Sequence, residues 1–154
     1  MNILFICTGN TCRSPMAQAY FNSRAGQCKK ACSADSAGIA AFAGQPASVD
    51  ALEIMKELYG IDMSDHSSKQ VNEELIAKAD LVLAMTETHK TVLRRAYPNA
   101  VDKIFTLAEY AGPASISTHE VRDPYGMGMS AYKEAVKQIT AMIDIIIERI
   151  CTAE

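Results

Sequence analysis

The sequence predicts an α/β protein built as one three-layer domain, with a four-stranded parallel sheet flanked by helices. Two observations carry this. Short apolar runs alternate along the chain with stretches of helical period, and no internal repeat, low-complexity stretch or charge block interrupts them. A loop of turn-forming and polar residues, Cys7-Thr8-Gly9-Asn10-Thr11-Cys12-Arg13-Ser14-Pro15, follows the first apolar run directly. In parallel sheets, ligands bind at the carboxyl ends of strands, and this loop stands at such an end.

The first strand is Ile3 to Ile6, continuous in apolar side chains as a strand buried on both faces should be. A helix from Pro15 to about Arg24 follows, with Ser14 as its expected cap. A second strand is expected near Cys32 to Ser36. The next helix runs from about Ser48 to Tyr59, with Val49, Leu52, Met55 and Leu58 on one face and Gly60 ending it. Leu81 to Met85 reads as the third strand, followed by a helix from Glu87 to Tyr97 that Pro98 closes. Ile104 to Leu107 reads as the fourth strand. The last helix, Ala131 to Ile150, carries Val136, Ile139, Ile143, Ile146 and Ile150 at helical spacing. These stripes are read as core packing, without chemistry.

The chain has 154 residues, 49% of them hydrophobic, enough for one buried core. A formal net charge of -3 supplies no chain-wide attraction for nucleic acid or an anionic membrane, so a bound anion must be held by a local site. No apolar run at the N-terminus is long enough for a signal peptide or a span, which predicts a cytoplasmic protein. Five cysteines, without zinc spacing, argue against a disulfide framework and a structural metal. Free thiols are expected.

Each residue type in the loop after the first strand has a physical use. Gly9 permits a positive backbone angle and Asn10 tolerates one, so successive N–H groups can face inward as an anion nest. The following helix adds its positive end. Such a field, with Arg13, favours the thiolate of Cys7, the nucleophilic form of cysteine. The planar fork of Arg13 suits two phosphate oxygens at once. Neither a dinucleotide fingerprint nor a P-loop ending is present.

With its Cys-x5-Arg-Ser loop and the later Asp123-Pro124-Tyr125-Gly126, the chain resembles the low-molecular-weight protein phosphatase family. The resemblance extends over Asp35 to Gly38, Met63 to His66 and Ala79 to Met85, essentially the whole length. It implies strand order 2-1-3-4, a phosphate-binding loop of Thr8, Gly9, Asn10, Thr11, Cys12 and Ser14, and a cysteinyl-phosphate intermediate on Cys7. It makes Asp123 the general acid and then the base. Asn10, Ser14, Ser36 and His66 become a supporting hydrogen-bond network. From the residues alone, Ser14 is equally a helix cap and His66 a surface residue. The implied partner is a phosphorylated protein, and no metal or organic cofactor is implied.

Three substrates compete. Arsenate reductases of this fold need relay cysteines, typically after the third strand, and Ala79 to Lys90 has none. Tyrosine phosphatases of the family usually carry an aliphatic residue where Thr11 stands, and two aromatics after Asp-Pro. The chain looks instead like the protein-arginine phosphatase branch, with Thr11 in the loop and an aromatic-Gly pair at Tyr125-Gly126. A hydroxyl at Thr11 suits a polar guanidinium, an aliphatic wall a phenyl ring. Phe42 or Tyr125 is a candidate wall for a phosphotyrosine pocket. Cys12 is either a packing residue or the partner that traps oxidised Cys7 as a disulfide. A phosphoprotein-binding module without turnover is the non-enzyme alternative, which retention of Cys7, Arg13 and Asp123 together disfavours.

Overall fold

Alternate side chains of a strand face opposite ways, and here both faces are apolar. The first strand, β1 (Asn2–Cys7), sends Ile3 and Phe5 to one side and Leu4 and Ile6 to the other, all fully buried. It therefore occupies an inner position in the sheet. In the computed structural model, which describes residues 1–112 and 120–153, β1 pairs in parallel with β2 (Ser33–Gly38) and β3 (Leu81–Ala84). The fourth strand, β4 (Ile104–Thr106), pairs in parallel with β3, and the order is β2-β1-β3-β4.

Two cores follow from the alternation. Ile3, Phe5, Leu81 and Leu83 face a cluster shared with α1 (Arg13–Ala25), α2 (Val49–Tyr59), α5 (Leu107–Ala111) and α6 (Met129–Thr152). Leu4, Ile6, Val82 and Ala84 face a smaller cluster with Ile76 of α3 (Glu73–Lys78) and Leu93 of α4 (Glu87–Ala96). Each buried Leu, Ile or Phe is worth about 1.5–3 kcal/mol relative to exposure. The sandwich therefore fixes β1, and with it the loop that leaves its end.

The strands and four expected helices stand within two residues of their expected bounds. In α6, Val136, Ile139, Ile143 and Ile146 are buried, as the stripe required. In α2 the apolar face is rotated: Ala51, Ile54 and Met55 are buried, whereas Val49 is 75% exposed. Both sets have helical spacing, and Ala51 is too small to register in a hydrophobic pattern. Ser48 caps this helix, accepting from the Ala51 amide at 3.3 Å, and Gly60 ends it at φ 64°. Two short helices, α3 and α5, and a 3-10 segment, Pro98–Lys103, had no sequence counterpart.

The cysteine expectation is corrected. Cys28, after α1, forms a disulfide with Cys151, in the last turn of α6, across 123 residues of sequence. The helices α1 and α6 pack against each other, which brings these ends together. A bridge closing so long a loop is worth about 2–4 kcal/mol. Cys7, Cys12 and Cys32 are free. Among the described residues no helix is long and apolar enough to cross a membrane.

Candidate active site

The chain leaves β1 at Cys7, turns through residues 8–12 and enters α1 at Arg13. The turn requires one left-handed residue. That residue is Asn10, at φ 57°, not Gly9. Asparagine tolerates this conformation because its short polar side chain bonds locally, and here every part of the carboxamide is used. Its Nδ2 donates to Ser14 Oγ at 2.8 Å and Ser36 Oγ at 2.9 Å, while Oδ1 accepts from the Lys69 amide at 3.0 Å. His66 Nε2 lies 2.7 Å from the Asn10 carbonyl, and since a carbonyl only accepts, Nε2 carries the proton.

The amides of Gly9, Asn10, Thr11 and Cys12 carry no backbone hydrogen bond among the described residues. The helix start adds to this. It lies two residues earlier than expected, with Cys12 in the cap position and no side-chain cap bond. Ser14 is therefore not the cap: it sits in the first turn, and its hydroxyl lies 2.9 Å from Cys7 Sγ. The result is a concentration of N–H groups and the positive end of a 13-residue helix around one sulfur.

Arg13 is buried, and its Nη1 donates to the Val121 carbonyl at 2.9 Å, which fixes the guanidinium. Nη2 lies 3.8 Å from Asp123 Oδ2. The Asp123 carboxylate is open to solvent, so this pair adds little stability, but it places a carboxyl group beside the buried guanidinium. The turn that presents it is closed by the Tyr125 amide, which donates to Asp123 Oδ1 at 3.1 Å. Together Cys7, Thr8, Gly9, Thr11, Cys12, Arg13, Gln45, Asp123 and Tyr125 line a cleft of 280 Å³. Cys12 Sγ lies 3.2 Å from the Tyr132 hydroxyl, whose proton is held more tightly than usual, chiefly because the phenol is buried.

Most sequence-derived candidates meet here. Phe42 does not: it is 76% exposed and outside the cleft lining, on a loop whose Phe42 carbonyl is held by the Ser68 hydroxyl. Three residues were missed. Gln45 lines the cleft from the same loop. Gly38, at the end of β2, backs the turn so closely that a Cβ there would collide with the Thr8 carbonyl. His89, in α4, lies with its Nε2 2.8 Å from Thr8 Oγ1. Residue type does not distinguish Gln45; Gly38 meets the turn through the sheet register, and His89 through the packing of α4.

A cysteine in a ring of donors, a fixed guanidinium and an adjacent carboxyl group make up a cysteine-dependent phosphatase. The chain belongs to the family described as low molecular weight phosphotyrosine protein phosphatase, whose model matches residues 2–152. It is 38% identical to a protein-arginine-phosphatase of Geobacillus stearothermophilus over 152 residues, 99% of this chain and 97% of that one. It is 36% identical over 148 residues to a probable low molecular weight protein-tyrosine-phosphatase, EpsP, of Ralstonia nicotianae, covering 96% and 94% of the two chains. Among solved structures, a low molecular weight protein tyrosine phosphatase from T. tengcongensis superposes with TM-score 0.90 at 47% identity, over 97% of this chain and 99% of that one. The YwlE arginine phosphatase, as a Cys-to-Ser mutant with a phosphorylated active-site serine, gives 0.92 at 36% identity, over 100% and 98%. These relatives are hydrolases, and the chain is a phosphatase of their family.

Proposed function

We propose that the protein hydrolyses phosphoarginine in proteins through a cysteinyl phosphate on Cys7. The observation that carries the choice of substrate is Thr11, a hydroxyl in the cleft lining where a phenyl-binding site wants an aliphatic wall. The remaining lining agrees: Thr8, Gln45 and Asp123 are polar, and Tyr125 is the one ring. Named arginine phosphatases match nearly the whole chain, and the phosphorylated serine of the YwlE mutant supports the nucleophile position.

In the first step the Cys7 sulfur attacks phosphorus, and the phosphorus–nitrogen bond breaks as Asp123 gives its proton to the departing guanidine nitrogen. Arg13 and the loop amides hold the equatorial oxygens while charge shifts. In the second step Asp123, now a carboxylate, takes a proton from water attacking the cysteinyl phosphate. The sulfur leaves with its electron pair, and the Ser14 hydroxyl 2.9 Å away stabilises it.

Phosphotyrosine is the second reading, supported by Tyr125 in the lining and by relatives named for that activity. Phosphate release from matched phosphoarginine and phosphotyrosine peptides separates the two. The arginine reading requires a phosphoarginine preference that Thr11→Ile erodes and Cys7→Ser abolishes. A phosphotyrosine preference contradicts it.

A further inference from the structure

His89 is a buried titratable side chain that the mechanism above leaves without a task. It is 4% exposed, in the first turn of α4, where the Thr86 hydroxyl accepts from its backbone N–H at 3.2 Å. Its Nε2 meets Thr8 Oγ1 at 2.8 Å, and its Nδ1 is buried without a hydrogen-bond partner among the described residues. The charged groups acting on the ring are Arg13, Glu120 and Asp123. Burial first, and Arg13 second, push its pKa down to about 4, so the ring is neutral at neutral pH with one N–H to place.

Two placements are available. A proton on Nδ1 would leave a buried N–H donor unpaired. A proton on Nε2 leaves only a lone pair unpaired, and buried acceptors tolerate that better than buried donors. The ring nitrogen facing Thr8 is therefore the donor, and Thr8 Oγ1 accepts. The hydroxyl proton of Thr8 is not spent on the histidine, and Thr8 is an exposed residue of the cleft lining.

We propose that His89 is a positioning residue: its Nε2–H holds the Thr8 hydroxyl in the orientation that donates to an oxygen of the phosphoryl group in the cleft. The proposal rests on the phosphate-binding reading of the cleft, and not on which phosphorylated residue is turned over. Thr8 thereby adds a side-chain donor to the backbone nest, set from behind by a helix on the opposite face of the sheet.

The test has two parts, both on the intact chain. Imidazole nitrogen–proton correlation spectra of the wild type, assigned by the resonances lost in His89→Gln, report the tautomer directly. Binding of inorganic phosphate is then measured for wild type, Thr8→Val, His89→Leu, the double variant and His89→Gln. The expected results are protonation on Nε2 and roughly tenfold weaker phosphate binding in Thr8→Val, the loss of one hydrogen bond to a charged group. His89→Leu is expected to lose several-fold, the double variant no more than Thr8→Val, and His89→Gln, whose amide reaches where Nε2 sits, to recover most of it. Protonation on Nδ1, or losses that simply multiply in the double variant, would overturn the proposal. The tautomer is read on the wild type, so a misfolded variant does not shield it. Neither readout involves phosphoarginine, so a failure of the substrate reading remains distinguishable.

Discussion

The Ser14 hydroxyl receives a hydrogen bond from Asn10 at 2.8 Å and has two acceptors for its own proton, the Ala37 carbonyl at 3.5 Å and, much closer at 2.9 Å, the Cys7 sulfur. A donor at that point acts mainly when the thiolate leaves. Ser14→Ala is therefore expected to slow breakdown of the cysteinyl phosphate about tenfold, the worth of one such bond. Pre-steady-state release of an aryl alcohol should change from a linear trace to a burst. A variant that loses affinity for substrate but shows no burst contradicts this role.

Gly38 faces the turn from the end of β2, and an added Cβ would meet the Thr8 carbonyl, with Ala41 Cβ at 3.0 Å and the Asn10 amide at 3.1 Å. None of these is the free end of a flexible side chain. Gly38→Ala should cost roughly 1–3 kcal/mol in urea unfolding, as overpacking does, and lower kcat/KM through the displaced loop. Gly26→Ala, with open space around it, is the control and should change neither.

The parts of this molecule that announce themselves in sequence are those whose signal is local. Continuous apolar runs marked β1 and β3, and a stripe of five residues marked α6. By contrast α3 and α5 are six and five residues long, too short to show a period. The loop after β1 was legible because its residue types each have a chemical use in one contiguous stretch. Gly38, Gln45 and His89 come to it from elsewhere, and only the fold connects them. The Cys28–Cys151 bridge was hidden for the same reason, its partners being 123 residues apart.

His89 also sets a pH dependence. Its pKa is about 4 in the folded protein, lowered mainly by burial, against about 6.5 in the unfolded chain. Between those values the unfolded chain binds the extra proton, so the stability of the neutral ring, complete above pH 6.5, is lost as the pH falls toward 4. Urea unfolding of wild type and His89→Gln should show the wild type's advantage shrinking across that window. Groups common to both proteins cancel in the comparison. An advantage that stays constant contradicts a neutral buried His89.

Cys7 and Cys12 line one cleft, and both are free thiols. Peroxide should oxidise Cys7 to a sulfenic acid with release of water, and the Cys12 thiol should then displace a second water from it to form a disulfide. The wild type should regain activity with a dithiol, whereas Cys12→Ala should pass to higher oxidation states and recover far less. Equal reversible loss in both would make Cys12 a packing residue against Tyr132 and Ser48.

Trapping a phosphoryl group on Cys7 is the direct test of the cysteinyl-phosphate mechanism. An activated aryl phosphate leaves without needing an acid, but water attack still needs the Asp123 carboxylate, so Asp123→Asn should accumulate the intermediate. Acid quench and peptide mass analysis should place one phosphoryl group on the peptide containing Cys7, and none in Asp123→Asn/Cys7→Ala. Phosphate release that continues without Cys7, or a phosphoryl group on another residue, would contradict the mechanism.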